Sequence, residues 1–325
     1  MIYINIEENT LWKKYSSKRL NLWIKGYIYS HKIEDIISIC SDIKKEKVSS
    51  FVNSINGHFA LVVQRSDLVF ISVDKIRSSP IFFVKINDNF FIDNNPKKLI
   101  HLNGFDDAIN ENASLEIAMS GFTIGNRSIY ENLYSLKAGE VVLFENNNFK
   151  YIVYHKYFCQ IEKKNFNFFL EELSEVTLNV FRKILNNIGD RQIIIPLSAG
   201  YDSRLVVSIL KYLGAKNVKC YSYGTPNNFE AKIAKTIANK LGYDWKFVPL
   251  THKNEKKFYA SDEYKKYLNF SETFCSVPYI QSLSTIKYLK ELNWINQDAI
   301  FINGNTGDFI SGGHINSDMK FNYDI

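Results

Sequence analysis

Two kinds of hydrophobic pattern divide the chain. Between residues 57 and 93, short runs rich in β-branched and aromatic residues alternate with polar turns, which is typical of antiparallel strands. The predicted strands are residues 57–64, 68–74, 81–85 and 89–93. We interpret these four strands as one antiparallel meander. Two further strands, residues 136–144 and 149–153, are predicted around an Asn-rich turn, and short helices near residues 34–41 and 114–120.

From residue 193 onward, strands alternate with amphipathic helices. Apolar residues at helical spacing predict helices over residues 205–213 and 230–241, and helices again between 254 and 293. Apolar runs predict strands at residues 193–196, 218–223, 245–250 and 299–302. Such alternation indicates a parallel sheet covered on both faces. A polar linker, residues 160–167, and a long helix, residues 168–185, precede this region.

The length and the patterns together predict two domains of different fold class. A chain of 325 residues exceeds the usual size of one domain. We expect an Ntn-hydrolase-like α+β domain with antiparallel sheets over residues 1–160. A parallel-sheet α/β domain that binds ATP is expected over residues 168–325.

Composition narrows the classes of partner. The net charge is +6, but the lysines are scattered among acidic residues, so nucleic acid is not predicted as a partner. The sequence contains no signal-peptide pattern and no apolar run long enough to span a membrane, so a cytoplasmic protein is predicted. The cysteines, which are far apart, are predicted to be reduced. They are Cys40, Cys159, Cys220 and Cys275.

The turn after the strand at residue 193 carries candidate chemistry. The first N–H groups of the following helix have no intrahelical partner and point toward the turn, where they can bind an anion. Ser198, Ala199 and Gly200 keep the backbone open, and Ser203 adds a hydroxyl donor. Asp202 is compatible with phosphates only if a divalent cation bridges them, which predicts pyrophosphate with magnesium. The alternative is an ordinary turn in which Asp202 or Ser203 caps the helix.

Residues 198–203 resemble the PP-loop, Ser-Gly-Gly-x-Asp-Ser, of ATP pyrophosphatases, with Ala199 in place of the first glycine. Residues 303–308 resemble the Ser-Gly-Glu-Gly-Ala-Asp segment of asparagine synthetases. The resemblance implies ATP and Mg²⁺ as cofactors, with Asp202 and Asp308 as metal ligands. The ATP-binding residues that it implies are Leu197, Ser198, Ala199, Gly200, Asp202, Ser203, Ser222, Tyr223, Gly224 and Gly304. Gly224 could equally be a glycine that only ends a strand.

If the strand at residues 299–302 lies beside the strand at residue 193, the loops that carry Asp202 and Asp308 face each other. Their meeting point is then the carboxyl edge of the sheet, where open α/β sheets bind ligands. No catalytic residue is assigned. Asn305 occupies the place where asparagine synthetases have glutamate and β-lactam synthetases tyrosine, and an asparagine side chain is not a general base.

Residues 57–153 resemble the back half of the glutaminase-type domain of asparagine synthetases. They include a Gly-x-Phe-Ala strand, Asp74 before a Pro-x-aromatic-aromatic strand, and a Leu-x-x-Gly-x strand. These glutaminases use a cysteine at the chain start, whereas this chain begins Met1-Ile2, and Cys40 could serve only after removal of the preceding segment. The domain is therefore expected to be a degenerate glutaminase. Family members also continue with a helical segment beyond the point matching Ile325, so an incomplete synthetase domain is expected.

Three functions are compatible with these patterns. The first is a ligase that activates a small-molecule carboxylate as an acyl-adenylate and transfers it to ammonia or an amine, with loss of glutaminase activity. The second is a non-catalytic ATP-binding or partner-binding remnant of that family. A tRNA-modifying PP-loop enzyme is the third, but it does not explain the β-rich N-terminal half. A second copy of the chain, forming a homodimer, is kept as a candidate partner.

Overall fold

The computed structural model describes residues 1–8, 11–158, 162–305, 307, 308 and 311. The chain forms two compact units. Unit 1 consists of Met1–Ile161 with Tyr267–Tyr279, and unit 2 of Glu162–Lys266 with Ile280–Ile325. In the described part of the chain, no helix has both the length and the apolar composition needed to span a membrane.

Unit 1 contains two β-sheets. Its strands are β1 (Ile2–Asn5), β2 (Trp12–Ser16), β3 (Asn21–Ile28), β4 (Gly57–Gln64), β5 (Val69–Val73), β6 (Phe82–Ile86), β7 (Asn89–Asp93), β8 (Leu133–Ser135), β9 (Glu140–Glu145) and β10 (Asn148–Val153). The six-stranded sheet has the order β10-β9-β5-β4-β3-β2 and is antiparallel throughout. The four-stranded sheet has the order β1-β7-β6-β8, with β1 parallel to β7.

The prediction of one antiparallel meander over residues 57–93 was wrong. Strands β4 and β5 pair in the six-stranded sheet, whereas β6 and β7 pair in the four-stranded sheet. The strand predicted over residues 136–144 begins later than expected, because residues 136–139 contain a turn and β9 starts at Glu140. Most residues of β5 and β6 are buried on both faces, so their hydrophobic pattern does not reveal which strand is the neighbour.

The layers of unit 1 follow the order helix, sheet, sheet, helix. Helices α1 (Ile33–Asp42) and α2 (Val48–Ser54) cover the outer face of the six-stranded sheet. Helix α3 (Pro96–Ile100) covers the outer face of the four-stranded sheet, and α4 (Glu111–Ser120) follows it in the chain. Between the sheets, aromatic residues such as Trp23, Phe83 and Phe90 form the core. The predicted α+β class with antiparallel sheets is confirmed.

Unit 2 is an α/β domain with a parallel sheet. Its strands are β11 (Ile193–Pro196), β12 (Val218–Gly224), β13 (Asp244–Pro249) and β14 (Ile300–Phe301), in the order β13-β12-β11-β14. The helices are α5 (Phe166–Ile188), α6 (Tyr201–Tyr212), α7 (Phe229–Leu241), α8 (His252–Tyr259) and α10 (Leu283–Glu291), and α9 (Asp262–Ser271) begins in unit 2 and ends in unit 1. Side chains of α5, α6 and α7 pack on one face of the sheet and α10 on the other, so the predicted class is confirmed.

The order in which the chain adds strands to the sheet changes sides at β11. The chain passes from β11 to β12 and β13 on one side, and β14 lies on the other side of β11. Ile193 is in register with Val218 and with Ile300, and all pairs are parallel. The predicted neighbourhood of the strands at residues 193 and 299–302 is therefore confirmed. The carboxyl ends of β11 and β14 flank the topological switch point, where ligands bind in such sheets.

A segment far along the sequence completes unit 1. Thr123 N donates to Cys275 O at 2.8 Å, and Val277 N donates to Gly121 O at 2.8 Å. Cys275 is buried among residues of the four-stranded sheet. The sequence-based domain assignment had put these residues in the ATP-binding domain, because their sequence contains no signal for the sheet they contact.

Candidate functional site

The loop after β11 is closed by its own hydroxyl groups. Ser198 N donates to Ser203 Oγ at 3.1 Å, and the hydroxyl oxygens of Ser198 and Ser203 are 3.0 Å apart. Gly200 N donates to Ser198 Oγ at 3.1 Å. Leu197, just before the loop, extends the sheet by donating its N–H to Tyr221 O at 2.8 Å. The loop is therefore a tight turn that opens directly onto the start of α6.

The start of α6 has no side-chain cap. Gly200 is the N-cap residue, and no side chain caps the helix there. The alternative of a turn capped by Asp202 or Ser203 is thus not what the structure contains. Among the described residues no side chain accepts from the first-turn N–H groups, which lie at the positive end of the helix dipole, where anions bind.

The loop after β14 lies directly on this helix start. A Cβ built on Gly304 would be 2.8 Å from Ser203 N and 2.9 Å from Asp202 Cβ. A Cβ on Gly307 would overlap the carboxyl group of Asp202. Both positions therefore require glycine because of the close approach of the two loops. Sequence reasoning had included Gly304 but missed Gly307.

The two predicted metal ligands belong to these touching loops. Asp308 directly follows Gly307 and is exposed, and Asp202 is half-buried. Within the described ranges, neither carboxylate forms a salt bridge with a lysine or arginine. The same ranges contain no group of three or more His, Cys, Asp or Glu residues that could hold a metal ion. Uncompensated carboxylates fit Mg²⁺, which is usually bound by one or two of them together with phosphates and water.

The predicted adenosine-side residues are partly occupied by structural contacts. The Ser222 hydroxyl donates to Leu197 O at 2.6 Å and accepts from Trp245 Nε1 at 3.0 Å. The buried Ser222 hydroxyl therefore joins β12 to the loop after β11 and to β13. Tyr223 is half-buried at the end of β12. At Gly224 the φ angle is +140° and a Cβ would be 2.8 Å from Asn228 Nδ2. The backbone conformation and the close contact therefore favour glycine at this position even without a nucleotide.

Arg204 is a further residue that sequence reasoning missed. Its Nη2 donates to Ala199 O at 2.8 Å, and its guanidinium carbon is 5.1 Å from the centre of the Tyr201 ring. Its buried Nε has no hydrogen-bond partner among the described residues. Arg204 holds the loop peptide, and a long donor one turn into a helix could have suggested this role.

The cysteines of the described part are closed off from solvent. Cys40, Cys220 and Cys275 are buried. Burial raises the pKa of the Cys40 thiol to about 12, although Arg65 opposes this shift, and burial also raises the pKa of Cys220 to about 12. A thiol with such a pKa supplies no thiolate nucleophile at neutral pH. Cys159 lies outside the described residues.

The carboxylate of Asp74, which follows β5, accepts hydrogen bonds from several nearby donors. The side chain is fully buried. Its oxygens accept from Phe59 N at 2.9 Å, from Ile76 N at 2.8 Å, and from the N–H and hydroxyl of Ser78. This carboxylate fixes the turn between the two sheets and has no free acceptor direction toward a ligand.

Several solved structures show weak similarity to the chain. NH3-dependent NAD synthetase from Campylobacter jejuni has 15% identity and a TM-score of 0.29, over 44% of this chain and 59% of that one. Glutamine-dependent NAD+ synthetase from Acinetobacter baumannii has 13% identity and a TM-score of 0.29, over 89% and 61%. Glutamine phosphoribosylpyrophosphate amidotransferase from B. subtilis has 8% identity and a TM-score of 0.30, over 78% and 76%.

The sequence comparisons concern unit 1. No curated protein matches the chain. The chain spans about three-fifths of the length of the two NAD synthetases that it resembles in structure. Residues 39–158, which include all strands from β4 to β10, match the family model of a glutamine amidotransferase domain.

Proposed function

We propose that the chain is an ATP- and Mg²⁺-dependent amide-forming ligase similar to asparagine synthetases. A substrate carboxylate attacks the α-phosphorus of ATP, the α–β phosphoanhydride bond breaks, and pyrophosphate leaves. Ammonia or an amine then attacks the carbonyl carbon of the acyl-adenylate, and AMP leaves as the amide forms. The nitrogen nucleophile loses its extra proton to an acceptor that the sequence does not identify.

One observation carries this proposal. The glycine-bearing loop after β14 lies against Asp202 at the topological switch point, and Asp308 is the next residue along that loop. Neither carboxylate forms a salt bridge among the described residues, so both are available as oxygen ligands for a cation. Triphosphate with Mg²⁺ supplies both the cation and the anion that the uncapped start of α6 can bind.

The roles of the residues follow from their places in the loops. The first N–H groups of α6 would bind phosphate oxygens, and Arg204 would hold the loop through Ala199 O. Asp202 and Asp308 would bind the metal. When bound, Mg²⁺ neutralises charge on the reacting phosphates and on the leaving pyrophosphate. The backbone at Ser222, Tyr223 and Gly224 would border the adenosine.

Free ammonia or an amine is proposed as the nitrogen source instead of glutamine. Residues 39–158 match a glutamine amidotransferase domain, which supports a unit 1 of glutaminase ancestry. The described thiols are nevertheless buried, and Cys40 lies within α1 with its pKa raised to about 12. Glutamine hydrolysis of this class requires an accessible cysteine nucleophile.

One observation favours a second candidate, a nucleotide-binding protein without turnover. Asn305 is exposed on the loop that faces Asp202, and its N–H donates to Asn303 Oδ1 at 3.3 Å. An amide side chain at this position cannot remove a proton from an attacking amine. Binding of MgATP without pyrophosphate release would be the property of such a protein.

Pyrophosphate release distinguishes the two candidates. The chain is incubated with ATP, Mg²⁺ and ammonium together with aspartate or a sugar acid, and pyrophosphate is measured with and without each carboxylate. Asp202→Asn and Asp308→Asn are expected to abolish the release, whereas Asp298→Asn, an exposed aspartate before β14, serves as the matched control. Binding of MgATP without release would favour the second candidate, and absence of MgATP binding would contradict both.

A further inference from the structure

Arg204 occupies an electrostatically unfavourable position in unit 2. It is the fourth residue of α6, and its guanidinium reaches back to Ala199 O, so the charge lies near the positive end of the helix dipole. The half-buried side chain forms no salt bridge with the described residues. Its buried Nε has no hydrogen-bond partner among them. A cation at a helix N-terminus and an unpaired buried N–H both lower the stability of the fold.

The nearby carboxylate of Asp202 does not compensate this charge. Asp202 precedes Arg204 by two residues in the helix, and residues at that spacing point to different sides. Asp202 instead lies against Gly307 of the loop after β14. A local conflict that the rest of the fold leaves uncompensated is typical of a functional site. An anion bound at the loop after β11 would supply the missing negative charge.

The contacts of Arg204 fix one peptide group of that loop. Its Nη2 donates to Ala199 O at 2.8 Å, and the N–H of the same peptide, on Gly200, donates to Ser198 Oγ at 3.1 Å. The C=O and N–H of a trans peptide point in opposite directions, so the two hydrogen bonds together restrain its rotation. The exposed ring of Tyr201 lies beside the guanidinium, whose carbon is 5.1 Å from the ring centre.

The residue at position 199 explains why such a restraint is useful. Ala199 occupies the place of the first glycine in the PP-loop pattern, and its φ angle is not positive, so the backbone does not require glycine there. A carbonyl oxygen carries partial negative charge and would repel a phosphate if the peptide turned over. Because the guanidinium of Arg204 holds Ala199 O, the carbonyl is directed at a cation and not at the bound anion.

We propose that Arg204 is a positioning residue for the phosphates of ATP. It holds the Ala199–Gly200 peptide in its observed orientation and adds a positive charge that no salt bridge among the described residues neutralises. The inference rests on the proposed function, because it takes the loop after β11 as the place where pyrophosphate is bound. It goes further by assigning Arg204 to ligand binding and not to the stability of the fold.

Calorimetric titration of the whole chain with MgATP, and with inorganic pyrophosphate in the presence of Mg²⁺, tests this assignment. Arg204→Met removes the charge and the donors, and is expected to weaken binding of both ligands at least tenfold. Arg204→Lys keeps the charge but lacks the forked donors, so it should recover part of the loss. Arg191→Met is the matched control, because Arg191 also donates to backbone carbonyls, those of Asn187 and Ile188, but before β11. The control should leave both affinities unchanged.

Thermal unfolding without ligand separates a positioning role from a structural one. The midpoint of Arg204→Met should not fall, because the substitution removes a cation from the helix start together with an unpaired buried N–H. The midpoint of Arg191→Met should fall, since carbonyls at the end of α5 lose their donor. A lower midpoint for Arg204→Met with unchanged affinities would overturn the proposal.

Ala199→Gly tests the restraint of the peptide. Alone, it should change the affinity for MgATP less than twofold, because Arg204 still holds the carbonyl. In the Arg204→Met chain it should weaken binding a further threefold or more, since glycine gives the unrestrained peptide more freedom. An equal effect of Ala199→Gly in both backgrounds would overturn the proposal, whether or not the unfolding midpoint had changed.

The two ligands distinguish this proposal from the proposed function. Unchanged binding of MgATP and pyrophosphate by Arg204→Met would overturn the positioning role alone. An unsubstituted chain that binds pyrophosphate but not MgATP would overturn the ligase proposal, and the pyrophosphate affinities would then decide the role of Arg204. A chain that binds neither ligand would overturn both.

Discussion

Asp74 in unit 1 and Asp202 in unit 2 are both aspartates at the end of a strand–turn segment, yet their environments are opposite. Asp74 is fully buried and accepts hydrogen bonds from the backbone of Phe59, Ile76 and Ser78. Asp202 is half-buried, and its carboxyl group lies against Gly307 with no cationic partner in the described ranges. A saturated carboxylate stabilises a turn, whereas an unsaturated one can bind a cation.

The comparison teaches how to separate structural from functional acids. Donors that surround Asp74 come from within the local turn and the neighbouring strand β4, so its negative charge is already stabilised by the fold. A Cβ built on Gly307 would overlap the Asp202 carboxyl group, and no side-chain hydrogen bond or salt bridge of that carboxylate is found among the described residues. We therefore expect substitution of Asp202 to affect ligand binding and substitution of Asp74 to affect stability.

The largest effect is expected for Asp202→Asn. Loss of the carboxylate removes one of two proposed metal ligands, so the affinity for MgATP should fall about 100-fold, or about 2.7 kcal/mol. The unfolding midpoint should not change. Calorimetric titration with ATP in the presence and absence of Mg²⁺ measures this. An Asp202→Asn variant that keeps its Mg²⁺-dependent affinity would break the contrast with Asp74.

Asp74→Asn should show the reverse behaviour. An amide cannot accept all the hydrogen bonds that the carboxylate accepts, so buried donors are left unpaired at a cost of about 2 kcal/mol in the free energy of unfolding. MgATP affinity should be unchanged in the folded protein. Urea unfolding of unit 1, followed by tryptophan fluorescence, measures the loss. A stable Asp74→Asn variant with weakened MgATP binding would reverse the assignment of the two acids.

Gly304→Ala sharpens the comparison on the side of unit 2. The added methyl group would be 2.8 Å from Ser203 N, so the loop after β14 must shift away from α6. We expect MgATP affinity to fall about tenfold, or about 1.4 kcal/mol. Gly189→Ala is the control, because its Cβ meets nothing within 4 Å and only its φ angle of +61° is unfavourable. The control should lose stability without losing affinity.

The smallest effect concerns the buried Cys40 thiol of unit 1. Burial raises its pKa from the ordinary 9.0 to about 12, so the folded state holds the proton more tightly than the unfolded state. The stabilisation is complete below pH 9 and is lost as the pH rises toward 12, because the unfolded thiol ionises first. Between pH 8 and 9.5 the loss should be roughly 1 kcal/mol for this thiol.

Cys40→Ala is the matched variant for this dependence. Its free energy of unfolding should decline less steeply between pH 8 and 9.5 than that of the unsubstituted chain. Urea titrations at several pH values provide the comparison. Equal slopes for the two proteins would mean that Cys40 is accessible to solvent. The thiol could then act as a nucleophile, which would contradict the proposal that unit 1 lacks glutaminase activity.

Much of unit 2 could be predicted from local sequence. The run of three isoleucines gave β11 (Ile193–Pro196), and apolar spacing gave α7 (Phe229–Leu241) almost to its ends. The small residues and the aspartate of the following turn located the candidate site at the start of α6. These features depend on residues within a few turns of each other, so hydrophobic periodicity and local motifs are sufficient to predict them.

Contacts between distant residues were decided only by the tertiary structure. In unit 1, strands that are consecutive in the sequence, such as β5 and β6, lie in different sheets. The segment around Cys275 belongs to unit 1 and is held there by backbone hydrogen bonds. Neither fact has a local signal, because backbone groups pair in the same way whatever their side chains. The same holds for the approach of Gly307 to Asp202, which only the order of the parallel strands brings about.

The sequence by itself determined the chemical groups that are present: two aspartates, a hydroxyl-rich turn and a helix start. The tertiary structure decided which carboxylate accepts hydrogen bonds from the protein and which remains available to a ligand. That outcome depends on how many donors the fold brings within hydrogen-bond distance of each carboxylate. Asp74 and Asp202 cannot be distinguished by residue type alone. They differ because β4 supplies a donor to the first, whereas the second lies against Gly307 of the loop after β14.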